Sequence, residues 1–376
     1  MKFNLIKKDK FTKSRVGILI TDHASMVTPI FMPVATKGAI QCVSKHELEN
    51  IGYQMILGNA YHLYFYPGLE VLYKIQGLHT FMNWHQSILT DSGGYQIFSM
   101  KKLNEITEDG VKFRSIFNGS IHFFYPEKSM KIQRIIGGDL IMAFDDCPPY
   151  PCSYIEAKKS LIRTHIWLKR CDNYLNNNPE IYNHKQSFFP IIHGSVYSDL
   201  RQFSVETVSL LKEYDGYAIG GLSLGEPQEK TQYITNLITD QLPENKPRYL
   251  MGVGNPANIL EAISLGIDMF DCVIPTRNGR HGLLFTWQGI LNIKNSKWKK
   301  DFSCLDEFGS SYVDKIYSKS YVRHLFSSKE NLAQQIATIH NLAFYFNLMK
   351  TAREKILNNT FLHWKQSIIP RLMHRL

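Results

Sequence analysis

The chain has 376 residues, 44% hydrophobic and 20% charged, a balance that suits a globular protein with a full core, as one large domain or two to three ordinary ones. No apolar run approaches the ~18–20 residues of a membrane span. The basic start MKFNLIKKDKFTKSR has no apolar segment and cleavage site behind it, so no secretory signal is read and a cytoplasmic location is expected. The net charge of +10 is one-sided: from Arg277 onward there are 16 Lys and Arg against 6 Asp and Glu, which leaves the first 276 residues neutral. A basic excess gathered in one region points to a polyanion, nucleic acid before membrane, although a solvated lysine-rich face gives the same count.

Six cysteines (Cys42, Cys147, Cys152, Cys171, Cys272 and Cys304) are scattered without a C-x-x-C pair, which argues against a disulfide scaffold and for a reducing compartment. Short apolar runs recur along the chain: FMPVA (31–35), YQMILGN (53–59), SILTD (87–91), LIMAFD (140–145), FFPIIHG (188–194), GYAIGG (216–221), RYLMGVG (248–254) and MFDCVIP (269–275). Between them lie helical stretches that open with Ser or Pro and close with Gly, among them SKHELENIG, PEKSMKIQRIIG and PANILEAISLG. Near-continuous apolar strands alternating with helices predict an α/β fold, a parallel sheet buried on both faces. Eight such units within about 250 residues suit a (β/α)8 TIM barrel.

The interval 103–125 breaks this rhythm, with EDG and NGS as turns of an antiparallel hairpin insertion. Residues 1–290 are therefore expected to form the barrel with its insertion, and 291–376 a mostly helical, basic C-terminal part.

In such a barrel the chemistry belongs at the carboxyl ends of the strands. Asn59, Asp91, Asp145, His193, Gly220, Gly221, Gly252, Val253, Gly254 and Asp271 fall there. Asp91 precedes two glycines, and Asp145 precedes Asp146 and Pro148, so turn-making is the ordinary role for both. Asp271 lies between Phe270 and Cys272, where no turn is needed and a charge is costly unless paired or functional. Two carboxylates from different strands suit substitution at a sugar carbon, one attacking while the other moves protons. PTRNGR (275–280) follows directly, and its arginines can fork onto phosphates or guanine edges.

The stretches ILTDSGGYQIFS, LGNAYHLY, MAFDDCPPYP, AIGGLSLGE, YLMGVGNP and GIDMFDCVIPTRNGRHG together resemble the bacterial tRNA-guanine transglycosylases, or queuine tRNA-ribosyltransferases, from about residue 15 to residue 360. The resemblance implies exchange of the wobble guanine of certain tRNAs for a 7-deazaguanine, through a covalent enzyme–tRNA intermediate, by a homodimer. It implies Asp271 as nucleophile and Asp91 as general acid and base. Ser92, Gly93, Gly94, Asp145, Cys147, His193, Gly221 and Leu222 would surround the base, with Tyr95 and Met251 sandwiching its ring. Gly252, Val253, Gly254, Asn255, Thr276, Arg277, Asn278, Gly279 and Arg280 would meet the tRNA. A catalytically silent, tRNA-binding partner subunit is the alternative, and it predicts loss of an acid that this chain retains.

The sequence departs from the family in two places. The family's C-x-C-x-x-C…H zinc site would fall within about 301–340, but Gly309, Ser311 and Asp314 stand where the cysteines belong, and only His340 matches a ligand. No structural zinc is expected, since that site wants four N/S ligands; the alternative is an atypical site rebuilt from Cys304 and Asp306 with His340. His193 stands where the family has Gln, and Leu224 where bacterial members have Val. The narrower Leu224 wall favours 7-aminomethyl-7-deazaguanine, while the altered His193 leaves queuine open as the incoming base.

Overall fold

The computed structural model describes residues 1–99 and 104–376. All eight apolar runs contain strands, and these pair in parallel as two five-stranded sheets. One sheet orders Ser187–Phe189, Leu140–Met142, Ser87–Thr90, Met55–Gly58 and Val34–Ala35; the other orders Ile191–Ile192, Tyr217–Ile219, Arg248–Leu250, Met269–Asp271 and Ile30–Met32. Pro33 and Pro190, which have no N–H to give a ladder, each part a strand of one sheet from a strand of the other. The strands are dry on both faces: Ser87–Thr90, Leu140–Met142 and Arg248–Leu250 are buried at every position.

Helices follow where the sequence signals put them. Ser44 caps Lys45–Ile51 by accepting from Glu47 N, and Ser153 with Glu156 forms a capping box at the head of Tyr154–Asn177. The interval after the third parallel strand carries Asn104–Ile106, Val111–Arg114 and Ile121–Phe124 as an antiparallel sheet, with bends closed by Thr107 N to Gly110 O and Ser115 N to Ser120 O. Its expected first residue, Leu103, lies outside the described residues.

Sequence reasoning missed the antiparallel sheet Lys2–Lys8, Arg15–Ile20 and Ser25–Thr28 at the start. Half-buried Phe3, Leu5 and Lys7 alternate with exposed Lys2, Asn4, Ile6 and Lys8, so a lysine on the inner side and an isoleucine on the outer one hid a period-two strand. Arg15 locks this sheet to the last parallel strand through a buried fork onto Asp268, Nε to Oδ1 at 2.9 Å and Nη2 to Oδ2 at 2.5 Å.

The C-terminal stretch adds the hairpin Leu283–Thr286 with Gly289–Asn292 and the helices Lys319–Ser327, Asn331–Leu357 and Phe361–Met373. It has its own apolar cluster, including Leu291, Leu305, Val313, Val322 and Ile336. The long helix Asn331–Leu357 is shared: Ala333 and Ile336 face that cluster, while Leu342, Tyr345 and Leu348 enter the main core. Among the described residues no helix is long and apolar enough to cross a membrane.

Candidate active site

Asp91 follows the strand Ser87–Thr90, Asp145 comes three residues after Leu140–Met142, and Asp271 ends Met269–Asp271. All three border one cavity of about 390 Å³. Its wall also includes Ser92, Gly93, Tyr95, Cys147, Gly221, Leu222, Met251 and Gly252 from the expected set. Residues that were not singled out beforehand join them, notably His62, Gln96, Tyr249 and Val273.

Each acid is held differently. Asp91 accepts from Asn59 Nδ2 (2.6 Å) and from Ala60 N (2.8 Å). Burial pushes its carboxyl up to about 7, the negative charge of Asp271 adds to the rise, and donors from Ala60, Gly93 and Gln96 oppose it. Asp271 Oδ1 accepts from the Tyr249 hydroxyl (2.6 Å) and from Gly252 N (2.8 Å). Burial raises its carboxyl as well, and those two donors restrain the rise. One carboxyl is thus poised to carry a proton near neutral pH, and the other has two donors that offset part of the rise that burial causes.

Asp145 and Asp146 part company although they are adjacent. Asp146 pairs with Arg163 at 2.5 Å and its N–H meets Thr164 Oγ1, so it organises the loop. Asp145 lines the cavity, with Ser92 Oγ on Oδ1 (3.1 Å) and His193 Nε2 on Oδ2 (2.7 Å). His193 itself, expected to touch the base, stands behind the wall and is 1% exposed.

The segments expected to meet tRNA divide in the same way. Gly252 is exposed and gives its amide to Asp271, whereas Val253 and Gly254 are buried and Asn255 caps Pro256–Ser264. On Ile274–Arg280, Thr276 and Gly279 face inward, and Arg277, Asn278 and Arg280 keep access to solvent. Gly279 has to be glycine, because a Cβ there would sit 2.9 Å from Ala337 O on the long helix. The same helix presents Asn341, which receives Phe285 N–H (3.0 Å) and donates to Pro275 O (2.9 Å) and Leu283 O (3.0 Å).

Next to Asn341, His340 is buried with both ring nitrogens on acceptors, Nδ1 with Asp314 Oδ1 at 2.5 Å and Nε2 with Phe285 O at 2.9 Å. Only an imidazolium can donate at both ends. Burial pulls the His340 imidazole down, but the charge of Asp314 and its hydrogen bond outweigh this and raise it. Gly309 offers no side-chain donor, and Asp314 Oδ2 already accepts from Ser311 N. This donor set does not fit a tetrahedral zinc ion.

His23, His79 and His184 bring one ring nitrogen each within 4.8 Å of the others, around Asp139 at the amino ends of the strands. The His23 and His79 rings stack at 3.9 Å and 17°, so their in-plane lone pairs do not converge on one ion.

A parallel α/β scaffold that gathers carboxylates from separate strand ends into one cavity, beside a basic helix, defines an enzyme of the group-transferring kind. The family described as Queuine tRNA-ribosyltransferase matches residues 9–373, and the chain belongs to it. It is 47% identical over 371 residues to the queuine tRNA-ribosyltransferase of Caldanaerobacter subterraneus subsp. tengcongensis, covering 99% of this chain and 97% of that protein. The enzyme of the same description from Thermoanaerobacter sp. strain X514 is 48% identical over 373 residues (99% and 97% covered), and that of Aquifex aeolicus 44% over 384 residues, end to end in both.

Proposed function

We propose that this protein is a tRNA-guanine transglycosylase, a pentosyltransferase that replaces the wobble guanine of its target tRNAs with a 7-deazaguanine in queuosine formation. The observation that carries this reading is the pair Asp91 and Asp271 on one cavity wall, with Asp91 pushed up to about 7.

In the first half-reaction the Asp271 carboxylate attacks C1′ of the ribose as the C1′–N9 bond breaks. Asp91, protonated, gives its proton to the departing guanine, and the tRNA is left as an ester on Asp271. In the second, Asp91 takes the N9 proton of the incoming base, whose N9 attacks C1′ and frees the carboxylate. A carboxyl near neutrality suits an acid that must become a base within one turnover.

The base lies between Tyr95 and Met251 in this reading, with Asp145 accepting from its N1–H and 2-amino edge. Leu224 on the wall favours the small 7-aminomethyl-7-deazaguanine over queuine. The eight parallel strand segments are read as a closed (β/α)8 barrel. Support comes from the two segments split at Pro33 and Pro190, each of which joins both sheets.

The region 301–340 is read as working without zinc, with the Asp314–His340 pair in its place. A homodimer acting in the cytoplasm completes the proposal.

The test is exchange of radiolabelled guanine out of tRNA, chased with each deazaguanine, and capture of the covalent complex on denaturing gels. Asp271→Asn should abolish both signals. Full exchange by that variant overturns the mechanism.

A further inference from the structure

His193 is a buried imidazole that does not reach the cavity, yet it meets the one carboxylate there with no catalytic part. Its Nε2 lies 2.7 Å from Asp145 Oδ2, and Ser92 Oγ–H occupies Oδ1 at 3.1 Å. Nε2 faces the carboxylate as the donor, and among the described residues the other ring nitrogen, Nδ1, has no hydrogen-bond partner. The ring is wedged behind Gly220 and Gly221: a Cβ on either would come within 3.0 Å of an imidazole nitrogen. The backbone of His193 is fixed too, through N–H to Ser204 Oγ at 3.3 Å.

We propose that His193 is a positioning residue for base recognition: it acts through Asp145 and makes no contact of its own with the base. This rests on the reading of the cavity as the base site. Each Asp145 oxygen accepts one hydrogen from the protein, Nε2–H on Oδ2 and Oγ–H on Oδ1, and keeps a lone pair for the ligand. Held at both oxygens, the carboxylate cannot swing about χ2, and its free lone pairs point as a fixed fork. The ligand class such a fork selects is a flat ring carrying two adjacent N–H donors, the N1–H and 2-amino edge of a guanine-type base. Recognition of the ring's carbonyl then falls to the backbone of the wall, because His193 does not reach the cavity.

The chemistry gives a discriminating probe. Hypoxanthine keeps the carbonyl and N1–H of guanine and lacks the 2-amino group, so it uses half of the fork. Binding of guanine and of hypoxanthine is measured as inhibition of labelled-guanine exchange on intact tRNA. The proteins are wild type, His193→Ala, His193→Gln, Asp145→Asn and the double variant His193→Ala/Asp145→Asn.

His193→Ala should weaken guanine about tenfold, the usual size for loss of a charge-assisted hydrogen bond. It should weaken hypoxanthine clearly less. His193→Gln, which keeps an N–H donor, should restore most of the loss. On the Asp145→Asn background the alanine substitution should add nothing.

Equal weakening of both bases with losses that multiply in the double variant would mean that His193 touches the ring, and would overturn the proposal. So would an unchanged guanine affinity in His193→Ala. A different result, Asp145→Asn leaving both bases unaffected, overturns the underlying reading of the cavity and with it the proposal.

Discussion

Tyr249 reaches across from the neighbouring strand and gives its hydroxyl hydrogen to Asp271 Oδ1 at 2.6 Å, while Gly252 N–H meets the same oxygen at 2.8 Å. Both donors favour the ionised carboxylate. With Oδ1 doubly engaged, Oδ2 is the oxygen left for the attack proposed for Asp271.

Tyr249→Phe should therefore slow formation of the covalent tRNA complex about tenfold or more, with KM for tRNA little changed. The acid limb of the pH profile should move upward, because the lost hydrogen bond had been lowering the carboxyl. Single-turnover trapping between pH 5 and 8 measures both effects; an unshifted acid limb would show that the hydroxyl leaves Asp271 alone.

Asp91 sets a second titration. Its carboxyl is pushed up to about 7; in the proposed mechanism it holds below that pH the proton that expels guanine, and above it the charge that takes a proton from the incoming base. The rate of guanine release in a single turnover should fall as pH rises through about 7, and the rate of base uptake from pre-formed complex should rise. Asp91→Asn should lose both inflections along with most of the activity.

Asn341 ties the long helix to Pro275 O at the start of the basic segment. Asn341→Leu fills the same volume without the three hydrogen bonds, and should raise KM for tRNA several-fold while the affinity for free guanine stays put. Thermal melting separates this from general unfolding, and a parallel fall in guanine affinity would assign Asn341 a global role.

Asp314→Ala leaves a buried imidazolium without its anion, a change that costs about 3–5 kcal/mol in comparable pairs. Chemical denaturation should show a loss of that order, and chelator treatment of the parent protein should leave its midpoint unchanged. A midpoint that drops on chelation, with zinc recovered in stoichiometric amount, would sink the metal-free reading of residues 301–340.

The alternation of dry apolar runs and capped helices made the parallel strands visible from sequence alone, because burial on both faces demands uninterrupted Val, Ile, Leu and Phe. Asp271 was visible for the converse reason, as a charge inside such a run. Tyr249 was hidden because a buried tyrosine in a strand reads as packing until its hydroxyl is seen to have a partner. The opening sheet was hidden by Lys7 on its inner side and Ile6 on its outer one. His193 was legible as a strand-end residue, and only the geometry separates it from the wall. Within PTRNGR the sequence could not tell which residues face outward; the close pass of the long helix turns Thr276 and Gly279 inward and leaves Arg277 and Arg280 on the outside.

His340 and Asn341 are consecutive, and both meet the Phe285 backbone, but the first reaches on to Asp314 and the second to Pro275 and Leu283. One closes the region that ends at Asp314, and the other aligns the segment that carries Arg277 and Arg280. Rotating the helix by a single residue would exchange their partners and break both connections together. In the proposed metal-free reading an ion pair closes the far end, and it depends on the phase of the helix as much as the contacts of Asn341 do. An insertion or deletion of one residue between Ala333 and His340 should cost this protein more than any single substitution in the region it anchors.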